Sequence, residues 1–196
     1  MSLQQCKSLL ERAHIGLAPG MSSEEVAVVE LRFGTHFPPD YRALLMDFLP
    51  ISDDFVDWRG GAPIAIERQF AWPYDGICFD IEYNDFWLLE WGPRPTNLTD
   101  AFAIAAHAVR QAPVLIPICG HRYIPATPSE SGNPIFSVYQ TDIIYYGRDL
   151  LEYLENELSR VVFGEYRYQI TEPVKVVPFW SYLVDLNNGQ IDDESV

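Results

Sequence analysis

The residues best suited to chemistry are a thiol and an imidazole two positions apart, Cys119 and His121, with Gly120 between them. A cysteine becomes a nucleophile when a nearby base takes its proton, so this pair could serve a small hydrolase. The two side chains share a face only if the backbone stays extended, and glycine favours a bend. We therefore expect a packed thiol and a hydrogen-bonded surface imidazole. A hydrolase that uses His121 is the less favoured alternative.

A second chemically distinctive segment follows residue 50 and has the composition of a loop. It carries Asp53, Asp54 and Asp57, then Trp58 and Arg59. The carboxylates could hold a cation, but a solvated loop explains them better, so we expect no metal and no cofactor. Because binding residues collect on loops, we predict that these five residues contact a partner.

A turn between two expected strands is the other predicted contact region. It holds His121, Arg122 and Tyr123, which combine an imidazole, a cation and an aromatic ring. In a chain rich in carboxylates, an internal ion pair is the default expectation for an arginine. The residues of either region could therefore equally be held by contacts within the chain and have only a structural role.

Motifs of the common enzyme classes are missing from the sequence. It contains no Gly-rich phosphate loop, no H-E-x-x-H and no G-x-S-x-G. Asp80, Glu82 and Asn84 imitate the first ligands of a calcium loop, but Asp85 stands where glycine is needed, and Trp91 where a glutamate is needed. The sequence therefore predicts a protein that is not an enzyme.

Charge restricts the choice of partner. The chain has 196 residues with 28 acidic and 13 basic side chains, which gives a net charge of −15. Nucleic-acid binding needs clustered lysine and arginine, so we expect no nucleic-acid partner. An acidic surface instead attracts basic proteins over a long range, and we expect a protein partner of that kind.

Hydropathy and cysteine content favour a folded cytoplasmic protein. Apolar residues make up 48% of the chain, yet no apolar run approaches the roughly 20 residues that cross a bilayer. The N-terminus lacks the basic start and apolar block of a signal peptide. The three cysteines, Cys6, Cys78 and Cys119, are an odd number and widely spaced, which argues against a disulfide framework. We expect a cytoplasmic protein with no membrane partner.

The elements that must position these residues are helices first and strands later. Helices are predicted from Leu3 to Ala13, after a capping box of Ser22 and Glu25, after Pro38-Pro39-Asp40, over 98–111 and from Asp149. Short strands are predicted over 62–66 and 85–91, with a helical turn or two after Pro73.

The last third changes to a strand-like pattern. Strands are predicted over 114–118, 122–124, 135–139 and 142–146, and Gln140-Thr141 suggests a tight hairpin. This order predicts an α+β fold, in which a central, mostly antiparallel sheet is flanked by N-terminal helices and a closing helix.

The chain is divided by composition. We predict an N-terminal helical extension (1–21), an α+β domain (22–162), an apolar segment that packs on the domain or on a second copy (163–186), and an acidic, disordered tail (187–196). The oligomeric state stays open, and a homodimer is compatible with the apolar segment.

Two successive motifs resemble a known family. Residues 30–34 read E-x-x-F-G, and residues 37–41 read F-P-x-D-Y before an apolar helix. Together they resemble the signature of the SUKH superfamily, named after fungal cell-wall regulators of the Smi/Knr type. The similarity continues through the strand at 115–118, the segment up to Tyr146-Gly147 and the closing helix at 149–160, so it covers most of residues 22–162.

The resemblance implies an α+β fold with no known catalytic activity. Many bacterial members are immunity proteins that neutralise nuclease or deaminase toxins. We therefore expect a binding module for a basic toxin domain. A housekeeping regulator or scaffold of the Smi/Knr type, with a partner that is not a toxin, is the alternative.

Overall fold

The computed structural model describes residues 2–190. Its helices are α1 (Leu3–Arg12), α2 (Ser23–Phe33), α3 (Pro39–Asp47), α4 (Pro63–Tyr83), α5 (Leu98–Gln111), α6 (Leu150–Glu157), α7 (Ser159–Phe163) and α8 (Trp180–Asn187), with a 3₁₀ turn at Leu89–Trp91. Its strands are β1 (Gly16–Pro19), β2 (Phe48–Ile51), β3 (Leu115–Cys119), β4 (Arg122–Pro125), β5 (Ile135–Tyr139) and β6 (Asp142–Gly147). Residues 191–196 of the predicted tail lie outside the described residues.

The sheet is a four-stranded antiparallel meander in the order β3-β4-β5-β6, and β1 pairs with β2 as a separate ribbon. Both hairpins of the meander turn through two residues at the same end of the sheet, at Gly120-His121 and Gln140-Thr141. The first residue of each turn has a positive φ, 52° at Gly120 and 57° at Gln140. The predicted α+β class and the hairpin at Gln140-Thr141 are confirmed.

Both faces of the sheet are buried because apolar side chains alternate across it. Ile124 and Ile144 pack against a first core, whereas their neighbours Tyr123 and Ile143 point into a second core. The first core is covered by α1, α2, α3 and α6, and the second by α5, α8 and the C-terminal half of α4. Helix α1 belongs to the segment predicted as an N-terminal extension (1–21), and it contributes buried residues to the first core.

Local signals in the sequence explain the first helices. Ser22 accepts a hydrogen bond from the backbone of Glu25, whose side chain accepts one from the backbone of Ser22, so the capping box begins α2. Gly34 ends this helix in the left-handed conformation, with φ of 63°. Pro39 occupies the first turn of α3, where its missing N–H costs nothing.

Two predicted strands are wrong, and the helical turn or two predicted after Pro73 is part of a longer helix, α4. Residues 62–66 begin α4, since Pro63 starts a helix and a short apolar run has no diagnostic period. Residues 85–91 contain only the 3₁₀ turn. The short β1 and β2, on the other hand, were not predicted, because each contains a proline.

Helix α4 continues through Pro73 because another residue replaces the lost backbone hydrogen bond. Proline has no N–H, so the carbonyl of Gln69, four residues earlier, has no helical partner. The hydroxyl of Tyr123 donates to that carbonyl at 2.9 Å. A buried strand residue thus stabilises a proline inside a helix.

The same helix contacts the second hairpin turn closely. A Cβ on Gly76 would lie 2.7 Å from the Cα of Gln140, so only glycine permits this approach. One turn later, the buried carboxylate of Asp80 accepts hydrogen bonds from the backbone N–H of Thr141 (2.8 Å) and from its hydroxyl (2.5 Å). Helix α4 therefore lies across the turn end of the sheet.

The C-terminal segment covers the edge strand β6. Asn187 donates its amide to the carbonyls of Thr141 and Ile143, at 2.7 and 3.2 Å. The hydroxyl of Tyr168 donates to the carbonyl of Tyr145 at 2.6 Å, and Trp180 is buried in the second core. Unpaired strand edges invite pairing with other chains, and these contacts block this one.

The pairing of Tyr123 with Pro73 predicts a coupling between the two positions. Tyr123→Phe leaves the Gln69 carbonyl without a partner, and we expect it to lower the free energy of unfolding by about 1–2 kcal/mol. In a Pro73→Ala background the helix supplies an N–H to the same carbonyl, so the cost of Tyr123→Phe falls below about 0.5 kcal/mol. Urea unfolding of the four proteins measures this coupling. An equal cost in both backgrounds would contradict the account.

Candidate protein-binding surface

The acidic loop, residues 52–61, is held to the first core by an aromatic side chain. Trp58 is only 4% exposed, and its indole N–H donates to the hydroxyl of Tyr41 at 2.9 Å. Its ring lies 5.0 Å from that of Phe37 and 6.0 Å from that of Phe33, both edge to face. The expectation that Trp58 is exposed for a partner is wrong, and its ring anchors the loop.

Arg59 is also occupied within the chain. Its guanidinium donates to both carboxylate oxygens of Glu25, at 2.8 and 3.2 Å, and to the carbonyls of Pro19 and Gly20, at 3.0 and 2.8 Å. The hydrogen bond from Arg59 lowers the pKa of Glu25, and the same contact raises the pKa of Arg59. The predicted contact residue Arg59 therefore closes the loop against the start of α2, and its charge is matched by a carboxylate.

The three aspartates of the loop remain exposed. Asp53 and Asp57 line a groove of about 580 Å³ between the loop and the β1–β2 ribbon, together with the side chains of Ile51 and Phe55. Asp57 also accepts hydrogen bonds from the backbone of Arg59 and Gly60 at 3.1 and 2.8 Å, which shapes the turn. The loop presents carboxylates to solvent while its one arginine is paired.

Backbone pairing brings the two predicted contact regions together. The N–H of Val56 donates to the carbonyl of Ile118 at 3.0 Å, and the N–H of Gly120 donates to the carbonyl of Asp54 at 2.8 Å. Phe55 forms a bridge with Cys119. The acidic loop therefore extends the sheet beside β3, next to the turn that holds His121.

Two of the three residues predicted at that turn are structural. Arg122 donates to Glu157 and to Ser137, both at 2.9 Å, and its guanidinium lies 3.7 Å from the centre of the Tyr146 ring. Tyr123 is 1% exposed and bonded to Gln69. Arg122 therefore has the internal ion pair that is the default expectation for an arginine here, and both predicted contact residues, Arg122 and Tyr123, are held by contacts within the chain.

His121 is half-buried and faces a second groove, of about 400 Å³, which we call the aromatic groove. Burial, with a smaller effect of Arg122, lowers the pKa of His121. The groove is lined by Arg68, Gln69, Trp72, Gly120, His121, Tyr123 and Tyr139. Sequence reasoning missed Arg68, Trp72 and Tyr139 because their helix and strand come together only in the folded chain.

The thiol of Cys119 belongs to the first core, and it is absent from the lining of the aromatic groove. Burial, followed by the charge of Glu157, raises its pKa to about 12. The positive φ of Gly120 places Cys119 and His121 on either side of a bend. The arrangement favours a packed thiol over a thiolate activated by His121.

Residues 2–190 also bear on metal binding and on membrane crossing. Within this range, no cluster of three or more His, Cys, Asp or Glu residues has the arrangement of a metal site. None of the helices in the same range has the length and apolar character needed to cross a membrane.

No protein-family model matches the chain, and no match was found among curated proteins or among solved structures. The SUKH resemblance therefore stays a prediction from the two motifs.

The burial of Trp58 predicts an unequal effect of two substitutions in one loop. Trp58→Ala removes a buried ring and should lower the free energy of unfolding by about 3–5 kcal/mol. Asp53→Ala removes an exposed side chain and should change it by less than about 0.5 kcal/mol. Urea unfolding measures both, and a Trp58→Ala protein as stable as the Asp53→Ala protein would contradict the anchoring role.

The state of the thiols predicts the order of their alkylation. With a pKa near 12 and 8% exposure, Cys119 should resist iodoacetamide in the native protein at pH 8. Cys6 is fully buried, whereas Cys78 is half-buried and should react first. Mass spectrometry of digests taken over time gives the order, with urea-unfolded protein as the control. Modification of Cys119 before Cys78 would revive the nucleophile alternative.

Proposed function

We propose that this protein is a non-catalytic binding module that holds a basic protein partner against the acidic loop. The specific form that we propose is a cytoplasmic immunity protein of the SUKH type, whose partner is a nuclease-type toxin domain. The support for the specific form is the pair of motifs at residues 30–34 and 37–41. The support for the general form is the charge and geometry of the loop.

The observation that carries the proposal is the unequal pairing of charge on the acidic loop. Arg59 is neutralised by Glu25, while Asp53, Asp54 and Asp57 stay exposed beside a groove of about 580 Å³. A nuclease domain binds phosphates through a positively charged cleft, so exposed carboxylates complement it. Such complementarity raises the association rate and excludes partners of the wrong charge.

Anchoring of the loop supports the same proposal. The loop is joined to the core by Trp58 and to the sheet edge by the backbone of Asp54 and Val56. A surface already ordered before binding loses little conformational entropy on association. Ile51, 59% exposed, and the half-buried Phe55 supply apolar contact area in the same groove. Apolar area ringed by charge is typical of specific protein interfaces.

The test is the kinetics of association with a nuclease-type toxin domain, which the proposal expects a neighbouring gene to encode. Stopped-flow measurements between low and high salt should show a steep fall in the association rate. We expect the triple variant Asp53→Asn, Asp54→Asn, Asp57→Asn to associate about ten-fold more slowly at low salt.

A second triple variant separates local charge from total charge. Asp75→Asn, Glu82→Gln and Glu90→Gln change exposed acids that lie outside the loop and also bring the net charge from −15 to −12. We expect this control to associate at nearly the wild-type rate. Equal slowing of both variants would contradict the acidic loop as the binding surface. A tight complex with a partner that is not a toxin would favour the Smi/Knr-type regulator instead.

A further inference from the structure

We propose that the aromatic groove is a separate binding site for a planar aromatic anion, in addition to the protein-binding surface of the acidic loop. The groove lies at the turn end of the sheet, between α4 and the two hairpin turns. Its volume of about 400 Å³ falls within the range of small-molecule sites. The proposal does not depend on the identity of the protein partner.

The groove offers aromatic surfaces whose polar atoms are already used. The indole N–H of Trp72 donates to the carbonyl of Val138 at 3.0 Å, and the hydroxyl of Tyr123 donates to Gln69 at 2.9 Å. Trp72 is nevertheless 44% exposed and Tyr139 56% exposed. The ring of Trp72, fixed at its polar end and open to the groove, favours stacking against another flat ring, and Tyr139 adds a second exposed ring.

These rings come from different elements of the fold, so they flank the groove. Trp72 lies on α4, Tyr139 ends β5, and His121 belongs to the first hairpin turn, with its ring centre 6.4 Å from that of Tyr139. The close contact of Gly76 with Gln140 sets the spacing between α4 and β5. The site is therefore built by the fold and needs no mobile segment to form.

Arg68 determines the charge of the ligand. It lies one helical turn before Trp72 on α4, so its guanidinium is beside the same groove. Several arginines of this acidic chain are paired with carboxylates, among them Arg59, Arg94 and Arg122, whereas Arg68 belongs to a group that shows no such pair among residues 2–190. Within residues 2–190, no carboxylate lies within 4.0 Å of Arg68. An exposed, unpaired guanidinium can form a two-pronged contact with an anion.

The other grooves differ in the charge of their linings. The groove of the acidic loop contains Asp53 and Asp57, and a further groove at the C-terminal segment contains Glu172 and Asp185. The lining of the aromatic groove holds Arg68 and, among the described residues, no carboxylate. A chain with a net charge of −15 thus has a groove that is complementary to a negative group next to a ring.

Two isosteric probes test ring and charge separately: 1-naphthaleneacetate and 1-naphthaleneacetamide. NMR titration of the full chain, followed at the Trp72 indole N–H, should give saturable binding of the acetate with Kd of about 1 mM or lower. We expect the amide to bind at least about five-fold more weakly. Arg68→Gln should abolish this preference, because both probes then meet an uncharged groove. Tyr139→Ala should weaken both probes, because it removes a stacking surface.

Arg32→Gln is the matched control, since Arg32 is an exposed arginine that lines a different groove. It should leave the affinity for both probes unchanged. The proposal is overturned if the two probes bind equally to the wild-type protein, if neither binds below about 10 mM, or if Arg68→Gln keeps the preference for the acetate. Thermal unfolding of each variant shows that the fold is retained. If the aromatic groove does not bind the probes as expected, the association kinetics predicted for the acidic loop are unaffected. The two proposals can therefore fail independently.

Discussion

The burial of Trp58 is the constraint on which the candidate surface depends. A tryptophan ring that is buried needs an acceptor for its N–H. Tyr41 supplies that acceptor at 2.9 Å, and Phe33 and Phe37 enclose the ring. The segment that carries the aspartates is thereby fixed at one point. The N–H of Val56 and the carbonyl of Asp54 then bond to Ile118 of β3 and to Gly120.

A second consequence of the packing is that two different surfaces lie beside one hairpin turn. The backbone of Gly120 bonds to Asp54 on the acidic side, and Gly120 also lines the aromatic groove. Helix α4 borders the aromatic groove because Pro73 leaves the carbonyl of Gln69 free for Tyr123. One surface is negative, and the other carries Arg68, which has no carboxylate partner among residues 2–190. The fold therefore separates charges of opposite sign on either side of the same turn.

Some of this organisation could be predicted from the sequence. The capping box of Ser22 and Glu25 and the hairpin at Gln140-Thr141 are local signals, and the structure has both. The run 62–66 has no diagnostic period, and its conversion into α4 depends on residues further along the chain. The exposed positions of Asp53, Asp54 and Asp57 followed from composition. The burial of Trp58 and Tyr123, and the grouping of Arg68 with Tyr139, depend on contacts between distant segments, which no local pattern encodes.

The central claim is that an ordered acidic loop is the surface that meets a protein partner. Hydrogen–deuterium exchange of the free protein and of its complex with the proposed toxin-domain partner tests this claim most directly. The account predicts that amides of residues 52–60 gain protection in the complex, while those of residues 75–90 keep their exchange rates. Unchanged exchange at residues 52–60 in a fully formed complex would contradict it.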